Sequence, residues 1–289
     1  MWFIFALFFA IVTSITVFLA KKIMQETGEY LFLLISNLFS IPVLLFLIVS
    51  FYQLPKVDGI FWVFSLTSIA ISLIGGVLAY RAIKIEDISL VSPIAAFNPV
   101  FTAIISFIFL NEIITLKGWL GIGLICCGAY LLEISKLKGG LFKPVSSLFR
   151  NKGVQLSFMA YFLWAITPLL QKSAIVHTYP LVPPYVSLIG MMGTVLILTA
   201  ICRRSLFKGI KFARKYLVLF SLLGILGGVG QVAAMVAFSS INLGFATAVF
   251  KLSILFTVIL GWLFFKEKNI KDRLLGSSVM LGGVLLLVT

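Results

Sequence analysis

Two stretches decide the fold: Phe107-Ile-Phe-Leu-Asn-Glu112 and Trp262-Leu-Phe-Phe-Lys-Glu267. Each closes a long apolar run with a glutamate-bearing turn, and the two glutamates lie 155 residues apart. Held without gaps, that offset pairs Gly75 with Gly230, Ala79 with Ala234, Thr102 with Thr257, Gly121 with Gly276 and Gly128 with Gly283. Apolar residues match by chance; glycines and glutamates in one register do so less readily, so the chain reads as two homologous halves.

Outward from these stretches the 289 residues fall into ten apolar runs, approximately 2–20, 30–51, 60–80, 88–110, 117–135, 154–176, 181–202, 216–238, 243–265 and 272–288. Each is near the length that crosses a bilayer as a helix. The chain is 61% hydrophobic and 11% charged, with a mean hydropathy of +1.17. That composition excludes a water-soluble enzyme, and the short connections leave no room for a folded soluble domain. The fold class expected is an all-α polytopic membrane protein of ten transmembrane helices. Five spans per half is an odd number, so the second half inserts upside down relative to the first, the arrangement of many secondary transporters. The division expected is 1–135, a basic interfacial linker at 136–153, and 154–289.

The net charge of +14 sorts by side. Loops after spans 1, 3, 5, 7 and 9 hold 19 Lys and Arg, the opposite loops hold Lys56 and Lys117, and Lys172 and Lys251 lie within spans. The positive-inside rule makes the crowded side cytoplasmic and puts both termini outside, in a cell membrane. The basic loops therefore meet anionic lipid rather than nucleic acid. Cys126, Cys127 and Cys202 have no disulfide or metal spacing. Met1 and Trp2 open directly into the first apolar run, so that run is expected to be its own insertion signal, with no cleaved leader.

These residues resemble the drug/metabolite transporter superfamily, in particular its ten-helix EamA branch. The likeness rests on the two glutamate turns with Gly118, Gly121 and Gly128 after the first and Gly276 and Gly283 after the second, and on Phe162-Leu-Trp164-Ala and Lys251-Leu-Ser-Ile-Leu-Phe256. Phe9 and Ala10 stand where the family commonly has a Trp-Gly or Trp-Ala pair. The resemblance implies export of amino acids or other small metabolites through a central cavity lined by both halves. A small-molecule substrate and surrounding lipid are the partners expected, with proton coupling open and the oligomeric state unspecified.

Candidate cavity residues follow from the cost of polar groups in hydrocarbon. Lys251 lies eight residues into span 9, about 12 Å from its end, too deep to reach water easily. Gly244, Thr247 and Lys251 share a helical face. No Asp or Glu sits mid-span, which tilts the expected substrate toward carboxylates or zwitterions, and a buried lysine can also exchange a proton. The alternative for Lys251 is a structural ammonium bonded to carbonyls of a broken helix. In span 4, Ser92 and Asn98 accompany Pro93 and Pro99, whose rings free the carbonyls of Ser89 and Ala95; the equal alternative is a packing kink with Asn98 bonded to a neighbouring helix. In span 6, Pro168 is a kink near Trp164, Gln171 and Lys172, the last able to snorkel. Gln231 follows the glycines of span 8. Glu112 and Glu267 are expected to serve the positive ends of spans 5 and 10. No metal, cofactor or catalytic residue is expected: the chain has no phosphate loop, no His-Glu-x-x-His and no Gly-x-Ser-x-Gly. An intramembrane enzyme or lipid-handling protein with the same cavity is the competing function.

Overall fold

The computed structural model describes residues 1–27, 29–86, 88–134, 143–147, 150–265 and 271–288. Fourteen α-helices are found among them: α1 (Trp2–Thr27), α2 (Glu29–Phe51), α3 (Gly59–Ile85), α4 (Ile88–Val91), α5 (Asn98–Leu110), α6 (Leu116–Ile134), α7 (Lys143–Ser147), α8 (Lys152–Val176), α9 (Pro183–Ile201), α10 (Leu206–Lys215), α11 (Leu217–Ser240), α12 (Leu243–Phe250), α13 (Leu252–Phe265) and α14 (Lys271–Val288). Two short strands, β1 (Lys56–Val57) and β2 (Thr178–Tyr179), pair antiparallel. Eight stretches are long and apolar enough to cross a membrane, and the shorter apolar stretches Leu116–Leu132 and Leu275–Val288 belong to α6 and α14. The protein is a polytopic helical membrane protein.

Two of the expected spans are not single helices. Span 4 is divided into α4, a 3₁₀ segment Ser92–Phe97, and α5. Pro93 and Pro99 each sit in the first turn of a new segment, where a missing N–H removes no helical bond. The Ala95 carbonyl, expected to be left open, accepts the Asn98 N–H. Span 9 breaks at Lys251, between α12 and α13, where the Lys251 N–H reaches only three residues back to the Ala248 carbonyl. Its repeat mate at the 155-residue offset is Ala96, inside the 3₁₀ segment, so both halves are interrupted at the same place although proline accompanies only the first break. The basic segment before span 8, read as a loop, carries the amphipathic α10.

The crossing of α6 and α14 shows how the halves are related. A Cβ on Gly121 would lie 3.0 Å from the Gly283 carbonyl oxygen, and one on Gly276 would lie 2.9 Å from that of Gly128. Gly121 and Gly128 are the repeat mates of Gly276 and Gly283, so each glycine meets its partner's mate. Such an exchange is the mark of a two-fold relation. The helix backbones touch there, an approach that small residues permit in membranes.

Gly128→Ala is therefore expected to destabilise the protein by about 1–3 kcal/mol or more, because its Cβ would stand 2.5 Å from the Gly276 carbonyl oxygen. Gly123→Ala, with nothing within 4 Å, is expected to be neutral. Thermal unfolding of the two variants in detergent checks the contrast.

Candidate functional site

The polar groups along α8 divide into those with partners and those without. Asn98 Nδ2 donates to the Tyr161 carbonyl at 2.9 Å, and Ser157 Oγ to the Val91 carbonyl at 3.0 Å. Trp164 Nε1 donates to the Ser72 carbonyl at 3.0 Å. The ring needs room, and Gly75 provides it: a Cβ there would lie 2.7 Å from Trp164 Nε1. Pro168 frees the Trp164 carbonyl, which accepts the Thr167 hydroxyl at 2.9 Å. These bonds join α8 to α3 and to the broken span 4.

Beside them lie two neighbouring cavities. The larger, of about 580 Å³, is walled by α1, α2, α3, α8 and α9, with Tyr30, Phe32, Tyr80, Tyr161 and Trp164 supplying aromatic surface. The Tyr30 and Tyr80 rings, 5.7 Å apart, stand near the helix ends that meet the basic loops. The smaller, of about 180 Å³, lies deeper and is lined by Asn37, Ser68, Gln171, Ser187 and Gln231; both cavities share Ser72 and Thr194. Asn37 is eight residues into α2, about 12 Å from its start, and Gln231 is nine residues from the end of α11, so these two amides lie near mid-membrane, while Gln171 lies five residues from the end of α8. The 155-residue offset relates Thr16 to Gln171 and Gly76 to Gln231, so repeat-related positions line the two neighbouring cavities.

Beyond the amides, the face opposite the basic loops is held together by contacts between the halves. Lys172 Nζ lies 2.6 Å from Glu112 Oε1 and donates to the Ile241 carbonyl at 2.7 Å. The second Glu112 oxygen accepts the Leu243 N–H at 2.8 Å, while Asn242 Nδ2 bonds the Ile113 carbonyl. Glu112 thus caps α12, not the start of span 5 as expected. The reason is local: Asn111 ends α5 in a left-handed conformation, φ 52°, which Asn tolerates, and the chain turns after it. Nearby, His177 Nδ1 lies 2.7 Å from Asp58 Oδ2, Asp58 Oδ1 accepts the Phe61 N–H at 2.9 Å, and β1 pairs with β2.

Of the residues singled out by sequence, Gln231 and Trp164 line these cavities. Lys172 is tied to Glu112 rather than snorkelling. Thr247 is buried, its hydroxyl returned to the Leu243 carbonyl at 2.7 Å, and Gly244 packs on Ala103. The stripe of Gly244 and Thr247 therefore faces a helix. Lys251 is not among the described residues lining either cavity; its Nζ stands 5.9 Å from the centre of the Tyr161 ring, whose ring is part of the wall. The Ser92 side chain and Glu267 lie outside the described residues. Asn37, Ser68, Ser72, Ser187 and Thr194 were not anticipated. The available signal was the lone amide in an apolar run, as at Asn37, which the rarer charges outweighed.

A model of the EamA-like transporter family matches residues 1–134 and again 151–289. An uncharacterized protein of Methanocaldococcus jannaschii is 27% identical over 132 residues, covering 46% of this chain and 96% of that protein. An uncharacterized transporter in the cobO 3' region of Sinorhizobium sp. is 27% identical over 136 residues, again 46% of this chain and 96% of the relative. Both relatives are thus about as long as one half. A solved crystal structure superposes with a TM-score of 0.71 at 13% identity, over 98% of each chain, a likeness of fold.

The Phe61 N–H, and after it His177, hold the Asp58 carboxyl below its ordinary value of 3.8. The stabilisation it adds is present above that value and is lost as pH falls through the lowered one. Hydrogen exchange at the start of α3 should rise over that acidic window in the native protein, and Asp58→Ala should show the raised exchange at neutral pH.

Proposed function

Because the chain belongs to the EamA-like transporter family, we propose that it exports small metabolites across the cell membrane by alternating access, with the basic face cytoplasmic and both termini outside. One observation carries this reading: a mid-membrane cavity extends toward the basic face, where the exposed Glu26 bonds Lys215 and Tyr216, while on the opposite face the halves are joined by Lys172 and Leu243 with Glu112, Asn242 with Ile113, His177 with Asp58, and β1 with β2. A state open to one side and clasped on the other is one of the two that a carrier alternates between. The inverted halves supply the other by exchanging roles. The cavity's lining carries hydrogen-bonding groups for a ligand and no nucleophile–base pair or metal set for an enzyme, among the described residues.

Transport then requires the clasp to open. Val57 and Thr178 are register partners across β1 and β2, a spacing suited to a disulfide. In a background without Cys126, Cys127 and Cys202, Val57→Cys with Thr178→Cys should abolish proteoliposome counterflow when oxidised and recover it on reduction. Undiminished counterflow with the disulfide formed would refute alternating access through this face.

A further inference from the structure

The side chains of Asn37, Ser68, Ser72, Gln171 and Thr194 line the cavities and make no hydrogen bond to the described residues. Gln231 uses its carbonyl oxygen to accept from Ser187, at 3.1 Å, which leaves its amide N–H groups available. Polar groups at this depth bond to cavity water or to a ligand. What they offer is specific: amides and hydroxyls present donors and acceptors together, without formal charge. No charged side chain is found among the described residues lining either cavity. An anion entering here would lose its hydration without gaining a counter-ion, which penalises it strongly against a neutral analogue of the same shape. The adjoining wall of Tyr161, Trp164 and Tyr80 suits a flat, apolar ring.

Resting on the transporter reading above, we propose that this site selects uncharged heteroaromatic compounds with an amide-like edge, nucleobases and heteroaryl carboxamides, rather than carboxylates or zwitterions. The edge meets the mid-membrane amides and the ring lies toward the aromatic wall. Lys251, which is not among the described residues lining either cavity, is not the substrate's counter-charge.

Isosteric pairs isolate the charge. Nicotinamide and uracil should each raise the melting temperature of the purified protein in a dose-dependent way, and nicotinate should not. Asn37→Leu and Gln231→Leu should each weaken nicotinamide binding about tenfold, the scale of a lost hydrogen bond with a partner left unpaired. Lys251→Met should leave that affinity within about twofold. Gln231→Glu keeps the shape of the site, so loss of binding in a variant with unchanged unliganded melting separates recognition from folding. Stabilisation by nicotinate that disappears in Lys251→Met, or no stabilisation by either uncharged probe, would overturn the proposal. Counterflow in proteoliposomes separates the two levels: nicotinate exchange would sink the substrate class and leave the transporter standing. Nicotinamide binding without exchange would do the reverse.

Discussion

A polar group within hydrocarbon must find a partner in the protein or face a cavity, because lipid offers it no hydrogen bond. That constraint organises this molecule. Asn98, Ser157 and Trp164 each donate to a backbone carbonyl on another helix, and so fix α8 against α3 and the broken span 4. Thr167 covers the carbonyl that Pro168 releases. Once these bonds are made, Asn37, Ser68, Ser72, Gln171 and Thr194 share one cavity lining, while the buried hydroxyls of Ser36 and Ser65 find no partner among the described residues and line neither cavity.

Charge obeys the constraint at a different depth. The Glu112 carboxylate is shared by an ammonium and a backbone N–H, which satisfies the start of α12 while neutralising Lys172. Charged groups join the halves at both faces, Lys172 with Glu112 on one and the exposed Glu26 with Lys215 on the basic one, and the mid-membrane cavity between them is neutral among its described lining. The halves therefore meet in two ways: through polar contacts, and through the glycine-lined crossing of α6 and α14, where the helix backbones touch.

Much of the architecture was legible before any coordinates. The apolar runs, the 155-residue register and the glycines of α6 and α14 were read from residue identity alone, since helix length and close packing depend on local composition. The breaks were half legible: Pro93 and Pro99 announce the first, while nothing comparable in residues 243–265 announces the break at Lys251. The site was legible only in Gln231 and Trp164. Attention to charge led to Lys172, whose partner Glu112, 60 residues upstream, is placed by a left-handed turn at the preceding Asn111. It led also to Thr247, whose hydroxyl can as well bond its own helix, as it does. A serine or amide in an apolar run has either fate, and only the packing of neighbouring helices selects between them.

The central claim is that one mid-membrane site is reached from one face at a time, and side-resolved labelling tests it most directly. A single cysteine at Thr194, which both cavities share, would be introduced in a chain lacking Cys126, Cys127 and Cys202 and exposed to a membrane-impermeant maleimide from either side. The account predicts rapid labelling from the basic face at rest, and labelling from the opposite face only when Glu112→Gln weakens the clasp. Labelling from neither face, or from the opposite face alone in the unaltered clasp, would contradict it.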